Sequence, residues 1–336
     1  MVRAKLTELP AANASPIVWR FQGAFPSDIP AFDPAQLRAR IEGAQLQARL
    51  LLDCRNQHGE GVLWSAADAL LMWTDIDGQR VCTYDPATDE FHQYVAPGKV
   101  CCFAPRTGRP WSQIVAAFSD GFAFLDLLTG ERRDIAAIEQ DKPTTRLNDG
   151  RTDRQGRFIA GGMDEAAGAP ISSVWRLDPD LSVIQLFDGV ACANGTCFAP
   201  DGRTLWFADS VKGEIERFDY DNATGSISGR RSIARTPAPG VPDGSCVDAE
   251  GFVWNAVWEG YRLQRYAPDG RLVATIDVPV KKPTCCAFGG ADLDTLFITS
   301  SRLGESESDL EREPSAGSLF SLKPGVRGLI DQPFAG

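Results

Sequence analysis

The chain has few of the residues that many hydrolases and metalloproteins rely on. It contains only two histidines, His58 and His92, in 336 residues. A catalytic pair of imidazoles would need both of them. Yet His58 lies two residues before an acid, and His92 falls on what reads as an outer strand. No Gly-x-Ser-x-Gly elbow is present, which removes the common serine-hydrolase arrangement. Positive charge is scarce too: 34 Lys and Arg against 45 Asp and Glu leave a net charge of −11, without the footprint of a nucleic-acid binder. No apolar run is long enough to cross a bilayer. The N-terminal MVRAKLTELPAANASPIV lacks the apolar core of an export signal. Nine cysteines, an odd number with no such signal, predict free thiols in a reducing cytoplasm. CxxC-type spacing is missing, and the adjacent pairs Cys101-Cys102 and Cys285-Cys286 would point to opposite faces of a strand.

What is present is repetition. Residues 194–210, NGTCFAPDGRTLWFADS, read as a hairpin: a strand over Thr196–Ala199, a Pro-Asp-Gly turn, and a strand over Thr204–Ala208. The same phrase recurs from Glu60, Lys99, Asn148, Asp243 and Pro283. Repeats of about 40 to 50 residues match the period of a four-stranded propeller blade. Later segments such as VCTYDPAT (81–88), IERFDYDNATG (215–225) and LQRYAPDG (263–270) read as third strands running into turns. The expected fold is all-β, a six-bladed propeller of four-stranded antiparallel blades around a central channel, over residues 46–336. Residues 1–45 form an N-terminal extension, with a short helix predicted over 34–46 from Asp33-Pro34 and the spacing of Leu37 and Ile41. The strand-like 48–53 is expected to complete the blade that begins at Pro283, removing a sheet edge. The acidic stretch 304–317 reads as a solvated loop or a short helix from Ser308. Cys102, Cys197, Cys246 and Cys286 share one repeat position and read as small apolar fillers of the propeller centre.

The first residue of each repeat carries the chemistry. In a propeller these positions ring one mouth of the channel, and here they are Glu60, Lys99, Asn148, Asn194, Asp243 and Pro283. Glycine lies next to or near the acids and amides, at Gly61, Gly150, Gly195 and Gly244, and lets the backbone turn closely. Asp and Asn also cap turns. Two acids and two amides in register, however, would repel unless a cation lay between them. All-oxygen donors suit hard divalent ions such as Ca²⁺ or Mn²⁺.

The phrases HGEGVLW (58–64), RLNDGRTD (146–153), ANGTCFAPDG (193–202) and PDGSCVDAEG (242–251) resemble the signature segments of the SMP-30/gluconolactonase family, the regucalcin-like sugar lactonases. The resemblance runs from about residue 48 to the C-terminus. It implies Glu60, Asn194 and Asp243 as metal ligands, Arg146 and Asn148 as substrate-binding residues, and Glu165, just after Gly161-Gly162-Met163, as a further substrate-facing group. Where the family usually has proline after Gly-Glu-Gly this chain has Val62, a change expected to affect loop stiffness more than ligation. The implied reaction is hydrolysis of a sugar lactone to its aldonic acid. Its cofactor would be one divalent ion, calcium first and zinc, manganese, magnesium or iron as alternatives. That ion would polarise the lactone carbonyl and activate water. Asp243 is the expected general base, and Arg146 would favour the developing oxyanion. A propeller phosphotriesterase and a non-enzymatic calcium-binding propeller are the rival readings. Arg146 with Asn148 favours a polyol over a phosphotriester, and the full set of ring residues with Arg146 argues against a purely structural ion. Neither a nucleic-acid nor a membrane partner is expected, and the chain is expected to be a monomer or homodimer.

Overall fold

The structure is a computed structural model that describes residues 47–336. The predicted N-terminal helix over 34–46 lies outside the described residues. The described chain forms six sheets, each of four strands in antiparallel order, arranged as the expected six-bladed propeller. The inner strands are Gly59–Ser65, Val100–Pro105, Thr145–Thr152, Ala193–Phe198, Val241–Val247 and Pro283–Gly289. In the first five blades each is followed outward by its second, third and fourth strand through short connections. In the sixth a loop with a short helix (301–318) joins the second and third strands, so every pairing is local in sequence except one. That exception closes the ring: Arg49–Leu52 pairs with Leu319–Leu322, the third strand of the blade begun by Pro283. Both ends of the propeller domain therefore share one sheet, as expected for strand 48–53.

Alternation in the strands faces apolar side chains across the gap between neighbouring blades, and the core lies there. Leu63, Met72 and Val81 of the first blade pack with Phe103, Ile114 and Phe118 of the second. Trp254, Leu263 and Ile276 of the fifth meet Phe288, Ile298 and Phe320 of the sixth. Cys102, Cys197, Cys246 and Cys286 are buried, and all nine cysteines are free. Burial pushes the Cys102 and Cys197 thiols well above the ordinary range, so they act as small packing groups. His92 lies on the outer strand Glu90–Val95, far from the axis.

Two local readings shift. The helix in 304–317 spans Glu307–Arg312, and its N-cap is Ser306, which forms a capping box with Asp309. The inner strand of the fourth blade starts at Ala193, three residues before the predicted Thr196. Asn194 is therefore inside a strand and not in a turn before it. Asn and Gly suggested a turn, but Asn194 pairs across to Ala208.

The C-terminal segment forms a strap across the far end of the channel. Arg327 accepts from Ala249 of the fifth blade, Phe334 exchanges two backbone hydrogen bonds with the second blade, and Ala335 donates to Gly156 of the third. Phe334 is fully buried in the core between the second and third blades. Asp331 on this strap makes an ion pair with Arg151, a buried side chain of the third inner strand that also donates to Ser245 O at 3.3 Å.

Candidate metal and substrate site

All six inner strands carry a register slip against their neighbour at the same repeat position. It falls between Glu60 and Leu63, Val100 and Cys102, Leu147 and Gly150, Asn194 and Cys197, Pro242 and Ser245, and Pro283 and Cys286. Such a bulge leaves a residue out of the ladder and re-aims the side chains beside it. Four of the slips coincide with Glu60, Asn148, Asn194 and Asp243. Gly61 and Gly195 occupy the left-handed region there, with φ of 57° and 64°, which a side chain would strain. Gly244 is needed for closeness: a Cβ there would sit 2.6 Å from Cys285 Sγ and 2.9 Å from its Cα.

The structure brings Glu60, Arg146, Asn148, Asn194 and Asp243 to the wall of one cavity of about 660 Å³, measured to its open mouth. All five are buried. Of the two remaining ring positions, Pro283 does not line the cavity, and Lys99 turns to Asp77 at 2.9 Å and Glu165 at 3.6 Å. Glu165 is not a lining residue either. Its carboxylate accepts from Arg146 Nε at 2.7 Å. Arg146 Nη1 donates to Leu147 O and to Asn148 Oδ1, at 2.9 and 2.7 Å. Its Nη2 has no partner among the described residues.

The amides are fixed in orientation. Asn194 Nδ2 donates to Ser210 Oγ at 2.8 Å, and Ser210 Oγ donates onward to Pro242 O at 2.7 Å. Asn194 Oδ1 is left with one long contact, 3.3 Å from Asn148 Nδ2, whose main partner is Ala193 O at 2.8 Å. The carboxamide oxygen of Asn194 thus adds a third, lightly engaged oxygen acceptor to a cavity lined by two carboxylates.

The electrostatics agree. Burial, then the charge of Asp149, pushes the Glu60 carboxyl up to about 8. Burial, then Glu60 and Asp149, holds Asp243 well above the usual carboxylate range. Each carboxyl acts on the other, and both are held toward the protonated form at neutral pH, where a cation could take the place of protons. Among the described residues no three His, Cys, Asp or Glu side chains converge as a ligand cluster. Two carboxylates and an amide oxygen are the kind of donor set that suits a hard ion and not a soft one needing imidazole or thiolate.

Asp149 was not among the residues the sequence singled out. Strand alternation places it on the face opposite Asn148, yet the bulge keeps it buried, accepting from Thr196 N at 2.8 Å. Burial raises its carboxyl. Four lining residues obey a simple rule. His58, Arg146, Cys192 and Val241 each stand two residues before a ring residue, and all four line the cavity. Side chains two apart in a strand share a face. Arg146 was placed at the site from the sequence and His58 was noted only by its distance from Glu60; the period-two step would have supplied Cys192 and Val241 as well. Trp258, paired with Val241, adds an apolar wall. Burial pushes the His58 imidazole down to about 4, so it is neutral at physiological pH.

The six-bladed propeller thus gathers buried acids and a fixed amide at one channel mouth, with a strap at the other end. Sequence comparison gives the lineage: the SMP-30/Gluconolactonase/LRE-like region matches residues 58–302, and the chain belongs to that family. An L-arabinolactonase of Azospirillum brasilense is 37% identical over 294 residues, covering 86% of this chain and 96% of that protein. Regucalcin of Xenopus laevis is 34% identical over 286 residues, 83% of this chain and 95% of the relative. The crystal structure of a calcium-binding regucalcin from Agrobacterium tumefaciens superposes with a TM-score of 0.82 at 29% identity, covering 87% of this chain and 98% of that one. The described residues contain no helix long and apolar enough to cross a membrane.

Proposed function

We propose that this protein hydrolyses a sugar lactone to the aldonic acid, using a divalent cation held by Glu60, Asn194 and Asp243. The observation that carries the reading is the convergence of that oxygen donor set with Arg146 and Asn148 on one cavity. A bound cation would supply Lewis acidity to the lactone carbonyl and make water easier to deprotonate. Calcium is the preferred ion, because the donors are all oxygen and a relative of the same fold is described as calcium-binding.

The chain's own residues supply the rest. Asp243 takes the proton from the attacking water as the new C–O bond forms. It returns that proton to the ring oxygen when the ring C–O bond breaks, so the acyl carbon ends as a carboxylic acid and the ring oxygen as a hydroxyl. Glu60 anchors the ion from the first blade. Arg146, its Nε held by Glu165 and its Nη1 by Asn148, presents Nη2 to the carbonyl oxygen as negative charge develops. Glu165 thus positions the arginine in this reading. The half-apolar wall of Val241 and Trp258 suits the C–H face of a sugar ring.

The decisive experiment incubates the purified protein with gluconolactone, galactonolactone, arabinonolactone and xylonolactone, with and without a chelator, and follows acid release. Turnover of at least one lactone that chelator abolishes and calcium or manganese restores is expected. Cleavage of a phosphotriester but no lactone, or tight ion binding without any turnover, would replace the reading with one of its rivals.

A further inference from the structure

We propose that His58 is a specificity-determining residue that accepts a hydrogen bond from one hydroxyl of the substrate through Nε2. The proposal deepens the lactonase reading and rests on it.

The tautomer follows from three hydrogen bonds at one hydroxyl. Ser301 Oγ lies 2.9 Å from Gln57 O and 2.9 Å from His58 Nδ1, and it accepts from Leu303 N at 3.0 Å. A serine hydroxyl has one proton. If that proton pointed to the imidazole, an oxygen lone pair would face the Gln57 carbonyl oxygen at 2.9 Å. Both contacts are attractive only if Ser301 donates to Gln57 and His58 Nδ1–H donates to Ser301. Nε2 then carries the lone pair. Where one ring nitrogen is fixed, the other is fixed with it.

The ring is also held in place. It meets Trp258 edge-on, with centroids 5.5 Å apart and planes at 65°. Behind Trp258 stands Lys282, whose Nζ is 5.1 Å from the indole ring and which donates to Leu303 O at 2.7 Å. The imidazole lines the cavity, and its Nε2 has no partner among the described residues. The unassigned wall of the site thus offers one acceptor beside an apolar indole. Arg146 Nη2 across the cavity is a donor. A polyol ring fits such a pair, since its hydroxyls both donate and accept, and loss of the acceptor should weaken ground state and transition state alike.

Three measurements test this. His58 and His92 are the only histidines, so ¹⁵N-labelled imidazole spectra can be assigned from His92→Gln alone. The Nδ1–H tautomer is expected for His58, with an Nε2 shift on adding 1,5-anhydroglucitol, a ring polyol that cannot be hydrolysed. An Nε2–H tautomer, or no shift at saturation, overturns the proposal even if lactones are hydrolysed. Next, His58→Phe keeps an aromatic edge on Trp258 but no acceptor. It should raise KM about tenfold, as expected for loss of one hydrogen bond in a shielded site, with kcat within about twofold. His58→Gln, which restores an acceptor, should recover part of the loss. Finally, in a series of deoxy-lactones, the one lacking the recognised hydroxyl should be turned over equally by wild type and His58→Phe. An unchanged KM in His58→Phe, or an equal loss on every deoxy-lactone, refutes the assignment. Should that variant not fold, the spectra and the wild-type deoxy series still decide. If wild type hydrolyses no lactone, the functional reading fails on its own, while the spectra continue to report on His58.

Discussion

Cation binding should be steeply pH-dependent, because Glu60 and Asp243 are both held toward the protonated form and the ion must displace protons from them. The Glu60 carboxyl is raised from an ordinary 4.5 to about 8. A group titrating near 8 is about 1% ionised at pH 6 and half ionised at pH 8, so apparent affinity should rise roughly 50-fold over that interval for one displaced proton. The stability sign runs the same way. A carboxyl whose folded value lies above its unfolded one contributes stability that is complete below about 4.5 and lost as pH rises through about 8. The metal-free protein should therefore weaken across that window by up to a few kcal/mol, and the thermal shift on adding calcium should grow. Calorimetric titration with calcium at pH 6, 7 and 8, in buffers of different ionisation enthalpy, reads both affinity and proton release. An affinity flat from pH 6 to pH 8, or binding without proton release at pH 6.5, would refute the raised carboxyls as the ligand set.

Asp243→Asn should abolish lactone turnover while the melting profile stays cooperative, and retained activity would remove Asp243 as the base. Gly244→Ala drives a methyl group to 2.6 Å from Cys285 Sγ at the axis; it should cost about 1–3 kcal/mol by overpacking and weaken calcium binding, both checked by melting with and without the ion. Phe334→Ala empties a fully buried site between the second and third blades. Urea unfolding should show a loss of about 3–5 kcal/mol, and a loss under 1 kcal/mol would mean the strap is dispensable.

Much of this was legible in the sequence because a propeller repeats its errors and its signals alike. The Pro-Asp-Gly turn at 200–202 aligned six inner strands, and alignment alone put Glu60, Asn148, Asn194 and Asp243 at one channel mouth. The bulge was not legible, since no residue type marks it in every blade: the sites of the slip hold Gly61, Cys101, Asp149, Gly195, Gly244 and Thr284. Without it, Asp149 reads as facing away from the site, whereas the structure buries it near enough to raise both ligand carboxyls. His58 was seen, but placed by its distance from Glu60 in sequence and not by the face it shares with it. Glu165 was placed against substrate, and its short bond to Arg146 appears only when the two strands pair at Arg146 and Met163.

The strap and the Arg151–Asp331 pair have a consequence for traffic. Among the described residues, the strap and this ion pair lie at the end of the channel opposite Glu60, Asn194 and Asp243, which line the cavity's open mouth. An open-chain acid leaving by that mouth follows the route its cyclic parent took, past the same wall of Trp258 and Val241. Departing and arriving molecules therefore compete for one doorway, and the product should inhibit as a rival for entry and not as a ligand elsewhere.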